Sequence, residues 1–146
     1  MKKYSSLKEI QTLISQKQLT LTDLLAYYFK QIKENEHLNA FNEVFFYSAE
    51  AQAKAVQQKI ENGTAGKLAG MVIGIKDNIC YKDHVVTASS KMLDGFVSPY
   101  SSTVVQRLLQ EDAVIIGRLN CDEFAMGGSN ETSYFGAAKN AANPEL

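Results

Sequence analysis

The sequence predicts an α/β fold in which helices flank a β-sheet and a helical section precedes it. Three observations support this class. Apolar residues recur at helical spacing through most of the first 62 positions, and residues 71–75 and 113–117 are short, continuous apolar runs typical of buried strands. A helical pattern over residues 101–110 lies between the two runs. A strand, a helix and a strand in that order favour a right-handed parallel crossover.

The first 62 residues are predicted to hold three helices. A capping-box pattern at residues 6–9 starts the first helix. Thr20 starts the second, which should run to about residue 36. Ser48 is expected to cap the third, which ends at Asn62-Gly63, a pair that favours a left-handed stop.

Weaker patterns follow. Residues 85–88 are expected to form a shorter strand, and residues 122–125 a short helix, with Asp122 as its cap. The remaining residues are mostly small and polar, which predicts a long irregular loop.

Composition is that of an ordinary soluble globular domain of 146 residues, 45% apolar and 21% charged. The net charge of −1 gives no electrostatic reason to expect that this segment itself binds nucleic acid. The N-terminus lacks the apolar core of a signal peptide, and no apolar run approaches the ~20 residues of a membrane-spanning helix. We therefore expect a cytoplasmic protein without membrane contact, whose Cys80 and Cys121 are free thiols.

Several common kinds of site are disfavoured by residue spacing. The glycines match neither a dinucleotide-binding nor a Walker pattern. His37 and His84 have no second ligand at a usable spacing, so no metal site is expected. Cys80 lies close to His84 in the sequence, but loop neighbours rarely form a catalytic dyad.

Two features leave alternatives open. Lys76 stands near the end of the apolar run GMVIGIKDNI, where it either marks the exit of the strand into water or is a desolvated catalytic base. The paired glycines Gly127 and Gly128 let backbone N–H groups approach a ligand, and Ser129 adds a hydroxyl. Composition alone favours a flexible loop at that position.

Three blocks resemble the amidase signature family: LAGMVIGIKDNI (68–79), TASSKMLDGFVSPYSSTVVQRL (87–108) and AVIIGRLNCDEFAMGGSNETSYFG (113–136). The similarity covers residues 19–144, and the blocks keep the family's order and approximate spacing. Within the family, they most resemble the glutamine-hydrolysing A subunits of glutamyl-tRNA(Gln) amidotransferases.

The resemblance implies helices flanking a mixed β-sheet and a catalytic triad of a serine, a cis-serine and a lysine. The triad lysine lies in the family's IGIKDN block and corresponds to Lys76, which would accept a proton through the bridging serine. The FAMGGS block implies that Met126, Gly127, Gly128 and Ser129 line the substrate pocket. We expect Lys76 to be buried by its apolar neighbours and to share a pocket with this loop.

The resemblance further implies that a Gly/Ser-rich block, which carries both serines and the oxyanion-hole amides, follows residue 146. Residues 1–62 would then be an N-terminal helical section and residues 63–146 the start of the amidase α/β core. The remaining strands of the sheet would come from further chain. We expect these 146 residues alone to be inactive, because Lys76 has no serine to activate.

Partners and cofactors are also implied. The whole glutamine-hydrolysing protein would need no cofactor of its own and would work with the B and C subunits of the amidotransferase. A partner protein in that complex would use ATP and Mg and contact the tRNA. Two alternatives stay open: another amidase-signature hydrolase of a small amide, and a non-catalytic fragment that binds a partner or completes a split enzyme.

Overall fold

The computed structural model describes residues 4–145. In that part of the chain the helices are α1 (Leu7–Ser15), α2 (Leu21–Glu34), α3 (Phe46–Glu61) and α4 (Thr103–Gln110), and the strands are β1 (Phe41–Val44), β2 (Val72–Lys76) and β3 (Val114–Leu119). Single turns of 3-10 helix lie at Glu36–Leu38, Lys91–Leu93 and Glu123–Ala125.

The three strands form one mixed sheet in the order β1–β3–β2. β2 runs parallel to β3, from Val72 opposite Val114 to Lys76 opposite Leu119, and α4 connects the two strands in the sequence. β1 runs antiparallel to β3 along its other edge. The α/β class, the parallel pair joined through a helix and the mixed sheet are thus confirmed.

β3 is the centre of the core, because residues 113–118 are all buried. Val114 and Ile116 pack in a cluster with apolar residues of α1, α2 and α3. Ile115 packs in a second cluster, with Val105 of α4 and residues of β2. Successive side chains of a strand point to opposite faces, so the continuous apolar run reflects burial of β3 on both faces.

Local capping explains where the first helices begin and where the third ends. The hydroxyl oxygens of Ser6 and Thr20 each accept a hydrogen bond from the backbone N–H three residues later, at 3.2 and 3.1 Å. α3 is followed by Gly63, whose φ of 69° is the left-handed conformation expected of a helix stop. These features match the prediction.

The first 62 residues are not all helical, because they contain β1. The backbone N–H of Phe45, directly after β1, donates to the carbonyl of Ile116 at 2.8 Å, and the chain passes straight from the strand into α3. The helix therefore begins at Phe46, and the prediction that Ser48 caps it is wrong. Ser48 lies inside the first turn, with its Oγ 2.9 Å from Nε2 of His84.

Two weaker predictions also fail. Residues 85–88 form no strand, only an isolated bridge between Val85 and Val97. The reason is that the backbone N–H of Thr87 donates to the carboxylate of Asp77 at 2.9 Å and so cannot join a ladder. The expected helix at residues 122–125 is reduced to one 3-10 turn, interrupted at Phe124 by a φ of 51°.

Gly117 of β3 is paired with Val44 of β1, and a Cβ at this position would collide with the backbone oxygen of Glu43. We expect Gly117→Ala to lower the free energy of unfolding by about 1–3 kcal/mol, because neither backbone can retreat. Gly128→Ala is the control, since its Cβ would meet nothing within 4 Å. Urea denaturation of both variants checks this, and equal stability of the two would contradict the close approach of β1 to Gly117.

Candidate active site

Lys76 is the last residue of β2 and lies between two buried residues, Ile75 (5% exposed) and Asp77 (1% exposed). Lys76 itself is exposed, so the expectation that it is buried is wrong. The alternation of the strand explains this, because Ile75 and Asp77 point to one face and Lys76 to the other. Apolar neighbours in the sequence therefore do not desolvate its amine.

The expected meeting of Lys76 with the glycine loop is nevertheless present. Both line an open cavity of about 320 Å³ at the carboxyl ends of β2 and β3. The lining residues are Lys76, Cys121, Asp122, Ala125, Gly127, Gly128, Ser129 and Asn130. Three of the four residues expected to bind substrate thus reach the cavity; the fourth, Met126, is 81% exposed and is not among them.

Asp122 organises the loop that forms the cavity wall. Its Oδ2 accepts a hydrogen bond from the backbone N–H of Asn130 at 2.9 Å, and its Oδ1 accepts from the hydroxyl of Thr132 at 2.9 Å. Gly127 passes so close to the carboxylate that a Cβ there would collide with it. Asp122 makes no side-chain hydrogen bond to the 3-10 turn, so its expected role as a helix cap is wrong and its role is to anchor the loop.

The charge of Asp122 is stabilised by the groups around it. The backbone N–H of Asn130 is the main cause that lowers the pKa of Asp122 below its ordinary value of 3.8. Burial opposes this, and the hydrogen bonds from Thr132 and the positive charge of Lys76 lower the pKa further. The cavity therefore holds a carboxylate whose charge is stabilised by its loop partners and by Lys76.

Behind Lys76 lies a buried polar network centred on Asp77. The Asp77 carboxylate accepts hydrogen bonds from Nδ2 of Asn42 at 2.7 Å and from the backbone N–H and hydroxyl of Thr87. It also forms an ion pair with Nη1 of Arg118 at 2.7 Å. These partners come from β1, from the segment after β2 and from β3, so one carboxylate joins three parts of the chain.

Arg118 completes this network and extends it to the surface. Its Nε lies 2.9 Å from Oε2 of Glu43, whose side chain is 42% exposed, and its guanidinium lies over the ring of Phe135 at 5.7 Å from the centroid. The two carboxylate partners of Arg118 therefore differ sharply, since the side chain of Asp77 is fully buried.

Side-chain amides hold the remaining part of the long loop. Nδ2 of Asn120 donates to the carbonyl oxygens of Asn39 and Gly136 at 3.0 and 2.8 Å. Its Oδ1 accepts from the hydroxyl of Ser133 at 2.6 Å. The long irregular loop predicted from composition is thus held by side-chain hydrogen bonds from Asn120, the residue that follows β3.

The cavity offers a cation, a carboxylate, a hydroxyl and closely approachable backbone, which suits a polar ligand. The hydroxyl of Ser129 donates to Oε2 of Glu131 at 2.8 Å. Among the described residues, no hydroxyl or thiol hydrogen-bonds to the amine of Lys76.

Other kinds of site receive no support from the described part of the chain. It contains no group of three or more histidine, cysteine or acidic residues placed to hold a metal ion. Both Cys80 and Cys121 are free thiols. Within residues 4–145, no helix combines the length and the apolar character needed to cross a membrane.

Comparison with known proteins gives consistent matches. The Amidase family model matches residues 23–146. The A subunit of the glutamyl-tRNA(Gln) amidotransferase of Brachyspira hyodysenteriae is 50% identical over 111 residues, which are 76% of this chain and 23% of that relative. The corresponding protein of Neisseria meningitidis is 43% identical over 141 residues, which are 96% of this chain and 29% of that relative.

A solved structure shares the fold. The crystal structure of the corresponding amidotransferase protein from Thermotoga maritima superposes with a TM-score of 0.73 at 27% identity, covering 97% of this chain and 28% of that one. The chain therefore spans less than a third of the length of these relatives.

The unequal burial of the two ion pairs of Arg118 predicts unequal effects on stability. Asp77→Asn should lower the free energy of unfolding by about 3–5 kcal/mol, because it leaves a buried guanidinium without its buried counter-charge. Glu43→Gln should cost less than about 1 kcal/mol, since that pair is partly solvated. Urea denaturation of both variants measures this difference. Equal losses would show that the buried pair is not the dominant one.

The lowered pKa of Asp122 predicts the pH range in which the loop loosens. A carboxylate with a lowered native pKa stabilises the fold fully above its unfolded pKa, and this contribution disappears as the pH falls through the native value. The amide NMR signals of Asn130 and Thr132 should therefore shift with a midpoint below the ordinary pKa of 3.8.

Asp122→Asn is the control for this titration, since it should show no such transition. A transition of the wild-type signals well above the ordinary pKa of 3.8 would contradict the stabilised carboxylate.

Proposed function

Because this chain belongs to the amidase family, we propose that it forms part of the glutamine-hydrolysing A subunit of a glutamyl-tRNA(Gln) amidotransferase. The observation that carries the proposal is the 43% identity to such a protein over 96% of the chain. The cavity that joins Lys76 to Gly127, Gly128 and Ser129 supports it, because these are the blocks in which the family resemblance puts the base and the substrate pocket.

In the proposed reaction, Lys76 is the base for a serine nucleophile. The serine Oγ forms a bond to the carboxamide carbon of glutamine, and its proton passes through the bridging cis-serine to the amine of Lys76. The C–N bond then breaks, and the nitrogen takes up a proton and leaves as ammonia. Water hydrolyses the resulting acyl-enzyme to glutamate. Both serines belong to the Gly/Ser-rich block of the family, which is not among these 146 residues.

The exposure of Lys76 fits a site assembled from two parts of a polypeptide. An open cavity lets the serine-bearing part reach the amine. Closure of that part over the cavity would remove water from Lys76, and desolvation favours the neutral amine that a base requires. The covering segment, and not the neighbours of Lys76 in β2, would then supply the desolvation.

Asp122 and the glycine loop have positioning roles in this proposal. Gly127 and Gly128 present backbone to the cavity, and the carboxylate of Asp122 holds the loop in place through Asn130 and Thr132. A glutamine bound there would meet Ser129 on one side and Lys76 on the other.

The reaction as proposed needs no cofactor in the glutamine-hydrolysing protein. The chain would work in a complex with the B and C subunits of the amidotransferase, and the ammonia would pass to the B subunit, where ATP and Mg serve the activation of glutamate on Glu-tRNA(Gln) and where the tRNA is bound. The net charge of −1 agrees with the tRNA being held elsewhere. A cytoplasmic location follows from this role in protein synthesis.

The role of Lys76 can be measured in a chimera in which this chain replaces the aligned segment of the Neisseria meningitidis protein. We expect Lys76→Ala to reduce glutamate release from glutamine at least ~100-fold, because the triad loses its base. The matched control is Lys54→Ala, an exposed lysine of α3 outside the cavity, which should leave the rate unchanged.

Two results would refute the proposal. One is near-normal hydrolysis by Lys76→Ala. The other is a chimera that hydrolyses simple amides efficiently and glutamine not at all, which would favour a different amidase. The 146-residue chain on its own should release no glutamate above a Lys76→Ala blank.

A further inference from the structure

His84 forms a hydrogen-bonded pair with a serine outside the cavity of Lys76. Its Nε2 lies 2.9 Å from Oγ of Ser48, and its Nδ1 lies 2.9 Å from the backbone carbonyl oxygen of Lys82. Because a carbonyl oxygen only accepts hydrogen bonds, Nδ1 carries the proton of the neutral ring. Nε2 is then the basic nitrogen, and the hydroxyl of Ser48 donates to it.

The partner of the Ser48 hydroxyl is unusual for a helical residue. Helical hydroxyl groups commonly donate to a backbone carbonyl of the preceding turn, as those of Thr12 and Ser15 do in α1, both at 2.8 Å. Ser48 lies in the first turn of α3, and its hydroxyl donates to an imidazole nitrogen instead. A serine hydroxyl bonded to a neutral imidazole is the arrangement that activates serine as a nucleophile.

Aromatic side chains hold the imidazole of His84 in this orientation. Its ring stacks on that of Tyr81, with the centroids 4.0 Å apart and the planes 8° apart, and lies 4.4 Å from the ring centroid of Phe45. The phenol oxygen of Tyr81 accepts from Nε2 of Gln52 at 2.7 Å, and Oε1 of Gln52 accepts from the backbone N–H of Ile115 at 3.1 Å. The base is therefore positioned through contacts that reach the central strand of the sheet.

The start of α3 supplies donors for a negatively charged oxygen. The helix begins at Phe46, and within the described residues no side chain caps it. The first N–H groups of an α-helix have no intrahelical partner, so those of Tyr47 and Ser48 can donate to an oxygen bound there. Backbone donors of this kind stabilise the oxyanion that forms when a nucleophile attacks a carbonyl carbon. A nucleophile, an oriented base and oxyanion donors thus lie at one point of the surface.

We propose that Ser48 is a nucleophilic serine that accepts the acyl group of a small activated ester, with His84 as its base. The Oγ forms a bond to the ester carbonyl carbon while its proton passes to Nε2 of His84. The C–O bond of the ester then breaks, and the leaving alcohol takes the proton from Nε2.

The surroundings of the pair favour a small acyl group. Ser48 and His84 are each half-buried, and the adjoining Tyr47 and Lys82 are exposed. An open surface offers few contacts to a long acyl chain. Neither residue of the pair lines the cavity of Lys76, so this chemistry is separate from the proposed hydrolysis of glutamine.

The test is acetylation of the purified chain by p-nitrophenyl acetate at neutral pH, with the modified residues identified and quantified by peptide mass spectrometry. We expect Ser48 to be acetylated at least ~10-fold faster than Ser15, because Ser15 has no base. Ser15 is a matched reference, since it is an exposed helical serine whose hydroxyl donates to a carbonyl.

Two variants separate a base from a merely structural partner. His84→Gln keeps a side chain that can hydrogen-bond to Ser48 but cannot take its proton, and it should slow acetylation of Ser48 at least ~10-fold. Ser15→Ala is the control and should leave that rate unchanged. Circular dichroism confirms that both variants fold.

Equal acetylation of Ser48 and Ser15 in the unmodified chain would overturn the proposal, and this comparison depends on no variant. An undiminished rate in folded His84→Gln would overturn it as well. Because the assay contains no glutamine and follows residues away from Lys76, either failure would leave the proposed function standing.

Discussion

The ion pair between Asp77 and Arg118 is the interaction on which the arrangement of the molecule depends. A fully buried carboxylate is costly unless its charge and lone pairs are satisfied. At Asp77 this is achieved by Arg118, Asn42 and Thr87 together. Because these partners lie on β3, on β1 and in the segment after β2, satisfying one charge fixes the relative positions of all three.

The candidate active site follows from that arrangement. The carboxyl ends of parallel strands meet at one edge of a sheet, which is where α/β proteins commonly bind ligands. Lys76 ends β2, and Asp122 follows the end of β3. With Asp77 held directly behind it, Lys76 projects from a rigid strand end, while Asp122 holds the glycine loop opposite. The two groups reach one cavity because their strands run in the same direction.

Features with local causes can be predicted from the sequence. The caps at Ser6 and Thr20 and the stop at Gly63 each depend on a few adjacent residues, and the run at residues 113–117 is apolar enough to indicate a strand buried on both faces. β1 has no such signal, because four residues become a strand only through pairing with β3. Its discovery required the structure.

The features of the candidate active site likewise include some that the sequence predicts and some that it does not. The family resemblance groups Lys76 with Gly127, Gly128 and Ser129, and the geometry agrees. The sequence mispredicts the burial of Lys76, because desolvation depends on what covers a side chain in space and not on its neighbours in the chain. For Asp122 the sequence favours a helix cap, although an aspartate at the start of a glycine-rich loop is also a natural acceptor for loop N–H groups. The role of Asp77 has no local signal, since its partner Arg118 lies 41 positions away.

The distance along the sequence between β1 and β3 has a consequence for the chain as it leaves the ribosome. Glu43 precedes its ion-pair partner Arg118 by 75 positions. At synthesis rates of about 5–20 residues per second, β1 waits roughly 4–15 s for the strand that pairs with it. During this interval α1, α2 and α3 exist without β3, the element that joins the two apolar clusters. For seconds, the nascent chain therefore exposes to solvent the apolar faces of its helices that later pack against β3. This period is long enough for chaperones to bind.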